Sequence, residues 1–233
     1  SVFFHDLLLD LPLQDAVGYV FNYQRQYPAL GLTFWPPLFH AVTGSLMLIF
    51  GPSFFTVKLA MAGFVLLFVL SLWLTASRSL TTGWGLIAVA LTCATPLVMN
   101  LSNTIMLELP SLAMGFLLIA CYRRITLRGE WKHWSEAVLI GILGAAMLYT
   151  KQPALFVLVA LTLDILFGHR HFLKDKRTWL AAATLIVLLM PLVAFTLKYG
   201  AVNIAQSIGN QGNIYVEHHR VAARWSVEGW TYY

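Results

Sequence analysis

The apolar stretch AVLIGILGAAMLYTKQPALFVLVALTLDILFG, residues 137–168, decides how the chain folds. A transmembrane helix needs about 20 residues to cross roughly 30 Å of hydrocarbon, so this run is too long for one crossing. The segment Thr150-Lys151-Gln152-Pro153 interrupts the run near its middle. Because proline lacks a backbone N–H and ends a helix, we predict two helices joined by a tight turn at Lys151.

The composition of the whole chain is typical of a membrane protein. The 233 residues are 59% hydrophobic and 11% charged, and the mean hydropathy is +0.73. Soluble domains carry roughly 25% charged residues, which excludes the soluble class. The net charge of +5 comes largely from short loops between apolar runs, where the positive-inside rule places basic residues. We therefore predict an all-α polytopic protein in contact with the lipid bilayer, and no nucleic-acid partner.

Several apolar runs have the length and composition of membrane-spanning helices. The predicted spans are 55–77, 83–102, 104–122, 134–150, 153–168 and 179–197. We predict one transmembrane domain over 1–233, with an outer loop at 1–54, about six transmembrane helices over 55–197, and a second outer loop at 198–233. Since the chain starts at Ser1 without a methionine, we expect a fragment of a longer protein.

Basic residues mark one side of the membrane. Arg78 and the clusters within 123–132 and 170–177 all follow apolar runs, and the positive-inside rule assigns them to the cytoplasmic face. An even number of crossings must separate two loops on the same face. The turns near Glu108 and Lys151 then lie on the outer face. We predict a multi-pass protein of a bacterial inner membrane, with both of these charges on its outer side.

Glu108 and Lys151 are isolated charges. Glu108 is the only charged residue within 79–122, and Lys151 is the only one within 137–163. Ionisable groups at membrane depth are costly and commonly functional, so both are candidate site residues. Glu108 can hold a metal or a donor group, or it can simply be an acid favoured at a helix N-terminus. Lys151 can bind a lipid phosphate as a point charge, or it can snorkel from a helix end.

The segment 36–50 predicts a short amphipathic helix before the first span. About 15 residues make a helix of roughly 22 Å, which is short for a crossing. His40, Thr43 and Gly44 share one face, opposite apolar side chains. A helix lying in the membrane interface fits this pattern and places residues 1–35 on the outer face. The alternative, a crossing, would place them in the cytoplasm.

Chemistry at this outer face needs a base, and the N-terminal segment offers three carboxylates. Any of Asp6, Asp10 and Asp15 could accept a proton from an acceptor hydroxyl, although each could equally be a solvated loop residue. Near the C-terminus, His218 and His219 are neighbours that point in different directions, so at most one of them is expected to ligate a metal.

The order of several motifs resembles the C-type glycosyltransferases, in particular the protein O-mannosyltransferases and the lipid A aminoarabinose transferases. The matching segments are Trp35-Pro36-Pro37-Leu38-Phe39-His40, Phe50-Gly51, Lys58-Leu59, Met106-Leu107-Glu108-Leu109-Pro110 and Thr150-Lys151-Gln152. The resemblance implies a GT-C-like transmembrane helix bundle with an interfacial helix in its first outer loop.

The resemblance also implies a function and a set of site residues. The donor would be a sugar on a polyprenyl phosphate, and the chain would transfer it to an acceptor hydroxyl. The catalytic base would be Asp6, from its distance to the double proline, or Asp15, which with Tyr19 resembles the family's Asp-x-x-x-Tyr pattern. Lys151 would bind the lipid phosphate, and Glu108 would bind the donor or a divalent metal. The identity of any metal or other cofactor is left open.

A second function class fits the same composition. A transporter or flippase for an amphiphilic solute would also place charges in a polar cavity within the membrane. The position of the charges separates the two classes, because a transferase gathers them at one face and a transporter holds them near the midplane.

Overall fold

A computed structural model describes residues 1–12, 14–27 and 36–208. These described residues are helical and include no strand. The α-helices are α1 (Val2–Asp10), α2 (Ala16–Gln26), α3 (Leu38–Phe50), α4 (Phe54–Ala76), α5 (Thr82–Cys93), α6 (Pro96–Asn103), α7 (Glu108–Arg128), α8 (Trp134–Thr150), α9 (Leu155–Phe167) and α10 (Lys176–Ile208). Two 3₁₀-helices, Gln152–Ala154 and Arg170–Lys174, precede α9 and α10. The predicted all-α membrane fold is confirmed.

The described residues up to Leu189 belong to one compact unit, and those from Met190 onward belong to another. The second unit contains the end of α10, in which Pro191 lies within the helix. Everything that positions the candidate site lies in the first unit.

All six predicted spans are helical, but only some are long and apolar enough to cross a membrane by themselves. Helix α4 and the part of α10 over Lys176–Lys198 meet that description. Helices α5 and α6 make up a third candidate that is bent by 66°. The bend falls where Pro96 removes a backbone N–H and the hydroxyl of Thr95 accepts from Val98 N at 3.4 Å. The count of six spans stays a prediction.

Helices α4 and α7 pack side by side in the same direction. The hydroxyl of Ser71 donates to the carbonyl of Ala113 at 3.4 Å, and the guanidinium of Arg78 donates to that of Ala120. Partner numbers on the two helices increase together, so the helices are parallel. The first residues of α4 and of α7 therefore lie at the same end of the bundle.

Helices α7 and α8 run in opposite directions. Arg128 and Glu136 form an ion pair of 2.7 Å at one end of this hairpin, and Glu108 and Lys151 meet at the other. Helix α7 continues through Arg123 to Arg128, so most of the basic cluster that was predicted as a loop belongs to the end of a helix. Glu108 and Lys151 therefore lie at one end of this hairpin and Arg128 at the other, and the side of the membrane that each end faces stays a prediction.

Helix α3 has the short length and the two faces expected of it. Its 13 residues correspond to roughly 20 Å. Thr43 and Gly44 are buried, whereas Val42 and Ile49 are exposed. Gly44 meets α1 so closely that an added Cβ would lie 2.7 Å from the Cβ of Phe4. Only glycine allows α1 to lie against α3, and this contact fixes the N-terminal helices on the bundle.

Candidate functional site

The candidate site begins with a direct ion pair between the two isolated charges. The Lys151 Nζ atom lies 2.5 Å from the Glu108 Oε1 atom, and the two side chains are 28% and 40% exposed. A carboxylate and an ammonium at this distance form a charge-assisted hydrogen bond. The partial exposure of both groups leaves room for a ligand to reach them.

The helix core directs the Glu108 side chain away from the bundle interior. Its neighbours Leu107 and Leu109 are 8% and 0% exposed and belong to an apolar cluster that also contains Phe39 of α3 and Phe64 of α4. The Glu108 side chain, between these two buried leucines, is 40% exposed and reaches Lys151 instead. Glu108 is also the first residue of α7, where the unpaired N–H groups and the helix dipole favour a negative charge.

Lys151 is positioned by the end of α8. Thr150 is buried, and its hydroxyl donates to the carbonyl of Ala146 at 2.8 Å. Lys151 follows in an extended conformation, with φ −158° and ψ 118°, and the Gln152–Ala154 turn begins after it. A cation at a helix C-terminus is favoured by the dipole. The tight turn predicted from Pro153 is therefore present and presents the ammonium toward Glu108.

A third charge, Lys58, lies at the same end of the bundle and was not predicted from the sequence as a site residue. The Lys58 ammonium donates to the Asn103 carbonyl at 2.5 Å and lies 5.5 Å from the ring centre of Phe54. The start of α4 and the end of α6 bring these residues together. Lys58 is the only charged residue within 26–77, so the isolation that indicated the other two charges also indicates this one.

The N-terminal helices form a cleft of about 330 Å³ that contains two of the three N-terminal carboxylates, Asp6 and Asp10. The lining residues are Asp6, Leu9, Asp10, Tyr19, Asn22, Tyr23, Gln26 and Tyr27. Tyr23 donates to Asp6 Oδ2 at 2.7 Å, and Tyr19 donates to Asp10 Oδ2 at 2.7 Å. These bonds join α1 to α2 and place two carboxylates in one cleft, and the described residues that line it include no cationic side chain.

The hydrogen bonds of the cleft keep Asp6 ionised. Burial acts to raise the pKa of Asp6, but the hydrogen bonds from Tyr23 and His5 outweigh it and hold the pKa below its usual value. The His5 Nδ1 atom lies 2.8 Å from Asp6 Oδ1. Burial and the bond to Asp10 raise the pKa of Tyr19 to about 12. The cleft therefore offers an ionised carboxylate and neutral phenols near neutral pH.

The other candidate base, Asp15, has a different position. It is the N-cap of α2, and its Oδ1 atom accepts from Gly18 N at 2.8 Å. Asp15 does not line the cleft, and Tyr19 donates to Asp10 rather than to Asp15. A helix N-cap is sufficient to explain this residue type here.

Helix α3 contacts both α1, which lines the cleft, and α8, which ends just before Lys151. It also contacts α4. Across the described residues, no hydrogen bond or ion pair joins Asp6 to Glu108 or Lys151. The same residues contain no group of three or more His, Cys, Asp or Glu side chains suited to a metal. His218 and His219 lie outside the described residues.

Comparison with known proteins defines the class. The model of the dolichyl-phosphate-mannose-protein mannosyltransferase family matches residues 35–195, which is more than half of the chain. The chain belongs to this family, so it is a membrane glycosyltransferase of the GT-C type and is mannosyltransferase-like. Comparisons with curated proteins and with solved structures gave no match.

The region matched by the family model covers only part of the candidate site. It includes both Glu108 and Lys151 and begins after Asp6 and Asp15. The match favours the glycosyltransferase function over the transporter or flippase, and it agrees with the motif resemblance seen in the sequence. The roles of the four individual residues remain predictions.

Proposed function

We propose that this chain transfers a sugar from a polyprenyl-phosphate donor to an acceptor hydroxyl at the outer face of a bacterial inner membrane, as part of a multi-pass protein. The observation that carries this proposal is the Glu108–Lys151 ion pair, half-exposed at the end of the bundle opposite the basic clusters. Charges gathered at one end suit an enzyme that works at the membrane surface.

Lys151 binds the donor phosphate in this proposal. The ammonium already has one anionic partner, Glu108, so a phosphate can join or replace that partner without a new cation being buried. As the bond between the anomeric carbon and the phosphate oxygen breaks, negative charge grows on the phosphate. A fixed cation there stabilises the transition state more than the ground state, which is the requirement for catalysis.

Glu108 orients the donor. Its carboxylate keeps Lys151 in one position in the absence of substrate, and it can accept hydrogen bonds from sugar hydroxyls once the phosphate arrives. A divalent metal, where one is bound, would be held by Glu108 and would supply further positive charge for the donor phosphate. We propose Lys58, at the same end of the bundle, as a second cation for an anionic donor.

Asp6 is the better supported of the two candidate bases. It is ionised, it lines a cleft, and its Oδ2 atom already accepts a hydrogen bond from a hydroxyl, that of Tyr23. An acceptor hydroxyl would take the place of the tyrosine, lose its proton to Asp6, and attack the anomeric carbon. The two carboxylates in this cleft disfavour an anionic acceptor and suit a neutral one. Asp15 stays the alternative, with its Oδ1 atom engaged in the helix cap.

Separate substitution of the two paired residues tests the proposal. We would assay the protein in membranes for release of polyprenyl phosphate from a polyprenyl-phosphate-linked mannose. Lys151→Ala and Glu108→Ala are expected to lose transfer, whereas Lys132→Ala, an exposed lysine at the opposite end, is expected to keep it. Unchanged transfer in both site variants would overturn the proposal.

A further inference from the structure

The opposite end of the bundle contains a second cavity that plays no part in the reaction proposed above. It has a volume of about 620 Å³ and lies between the start of α8 and the connection from α9 to α10. The lining residues are Trp134, His171, Lys174, Asp175, Lys176 and Arg177. We propose that this cavity binds the phosphate headgroup of an anionic phospholipid.

The charge of the cavity is positive because its one acid is already neutralised. Arg177 Nη2 lies 2.9 Å from Asp175 Oδ2, and Arg177 Nε lies 3.0 Å from Asp175 Oδ1. This fork uses both carboxylate oxygens. The ammonium groups of Lys174 and Lys176 are exposed and form no ion pair within the described part of the chain. Two cations are thus left to face an incoming anion.

The cavity wall is held in place by packing and hydrogen bonds. Phe172 is 3% exposed and belongs to an apolar cluster with Trp131, whose ring centre is 6.1 Å away. Trp131 Nε1 donates to the Thr178 hydroxyl at 3.0 Å, and the Arg177 guanidinium donates to the Trp131 carbonyl. The basic segment is therefore fixed against the α7–α8 connection. Lysines on a fixed backbone lose less freedom on binding than lysines in a flexible tail.

The surroundings favour a lipid over a free anion. Trp134 and Trp179 are 57% and 61% exposed beside the cavity, and tryptophan is enriched at the level of lipid headgroups. Helix α10, which starts at Lys176, is one of the helices long and apolar enough to span the membrane. Basic pockets between such helices on the cytoplasmic side bind anionic headgroups.

Binding to defined lipids tests the proposal. The full protein would be placed in nanodiscs of phosphatidylcholine, and bound phosphatidylglycerol would be measured by native mass spectrometry as its share is raised. The double variant K174Q/K176Q is expected to bind this lipid roughly thirtyfold more weakly, the factor that two lysines near an anionic surface supply. The matched control K132Q/R124Q removes two charges from exposed residues of the same end that do not line the cavity.

Each other outcome counts against the proposal. An equal loss in both double variants would mean that the whole basic end attracts lipid without a site. Competition by inorganic phosphate at millimolar concentration would identify a phosphate site instead. Undiminished lipid binding in K174Q/K176Q would overturn the proposal directly. Because both lysines are exposed, the variants are expected to unfold at the temperature of the parent, and circular dichroism would check this.

Discussion

Replacing Lys151 by glutamine tests whether this cation acts in catalysis or only stabilises the fold. Glutamine keeps most of the side-chain length and removes the charge, so the Glu108–Lys151 ion pair is lost. The side chains of this pair are 28% and 40% exposed. Ion pairs with this exposure stabilise a fold by roughly 0–1 kcal/mol, so Lys151→Gln should change the free energy of unfolding by no more than that.

The expected effect on transfer is much larger. Loss of one fixed group that stabilises transition-state charge lowers kcat by about 10²–10³, or about 2.7–4 kcal/mol. Lys151→Arg keeps a cation that binds phosphate and should retain transfer within roughly tenfold of the parent. Glu108→Gln keeps the Lys151 ammonium, so its loss of transfer should be smaller than that of Lys151→Gln.

The assay is single-turnover release of polyprenyl phosphate from a labelled donor, with thermal unfolding measured on the same samples. Lys132→Gln serves as the control for charge removal at an exposed lysine. A fall in kcat with an unchanged unfolding temperature agrees with the proposed role. A fall in kcat that is matched by a collapse of the unfolding temperature would show that the pair only holds α7 to α8. Full transfer by Lys151→Gln would refute the reasoning.

Further predictions concern the N-terminal helices. If Asp6 is the base, Asp6→Asn should lower the rate of transfer by a factor of about 10²–10⁴. Asp15→Asn should then transfer at nearly the rate of the parent. The same donor assay compares the two variants. Hydrogen bonds hold the pKa of Asp6 below its usual value in the folded protein, so they stabilise the fold above the ordinary carboxyl pKa. This stabilisation should disappear as pH falls through the lower, folded pKa. Unfolding of the parent and of Asp6→Asn measured against pH would test this direction. Gly44→Ala would bring a Cβ to 2.7 Å from Phe4 Cβ and should destabilise the protein by about 1–3 kcal/mol. Gly63 has open space around it, so Gly63→Ala should not destabilise the protein. Thermal unfolding of both variants measures the difference. An unchanged unfolding temperature for Gly44→Ala would contradict the close packing of α1 on α3.

The sequence predicted the features that depend on local chemistry. The break at Pro153, the short helix over 36–50 and the shared end of Glu108 and Lys151 all follow from backbone geometry, helix length and the distribution of charge. Counting the crossings between two loops gives their sides without any knowledge of packing, because adjacent spans must run in opposite directions. For this reason the shared end of Glu108 and Lys151 could be predicted, whereas their direct ion pair was not.

Features that depend on contacts between distant segments were not predicted. Residues 1–54 were assigned to an outer loop with one interfacial helix, yet α1 and α2 are also helical, and their amphipathic faces meet through Asp6 and Tyr23. The bend before Pro96 was missed because the apolar run continues through it. Arg123 was assigned to a loop, although the helix continues past it and through the following arginines. Lys58, near the start of the predicted span 55–77, was not predicted as a site residue, because its contact with the Asn103 carbonyl depends on how α4 packs against α6.

The central claim is that Lys151 holds the phosphate of the donor, and direct binding tests it without relying on turnover. The measurement is the Kd of polyprenyl phosphate for the full protein in nanodiscs, for the parent, Lys151→Gln and Lys132→Gln. The account predicts that Lys151→Gln binds at least about tenfold more weakly, as loss of a charged hydrogen bond of about 1.5–3 kcal/mol requires, and that Lys132→Gln binds as the parent does. Equal affinity of the parent and Lys151→Gln would contradict the claim.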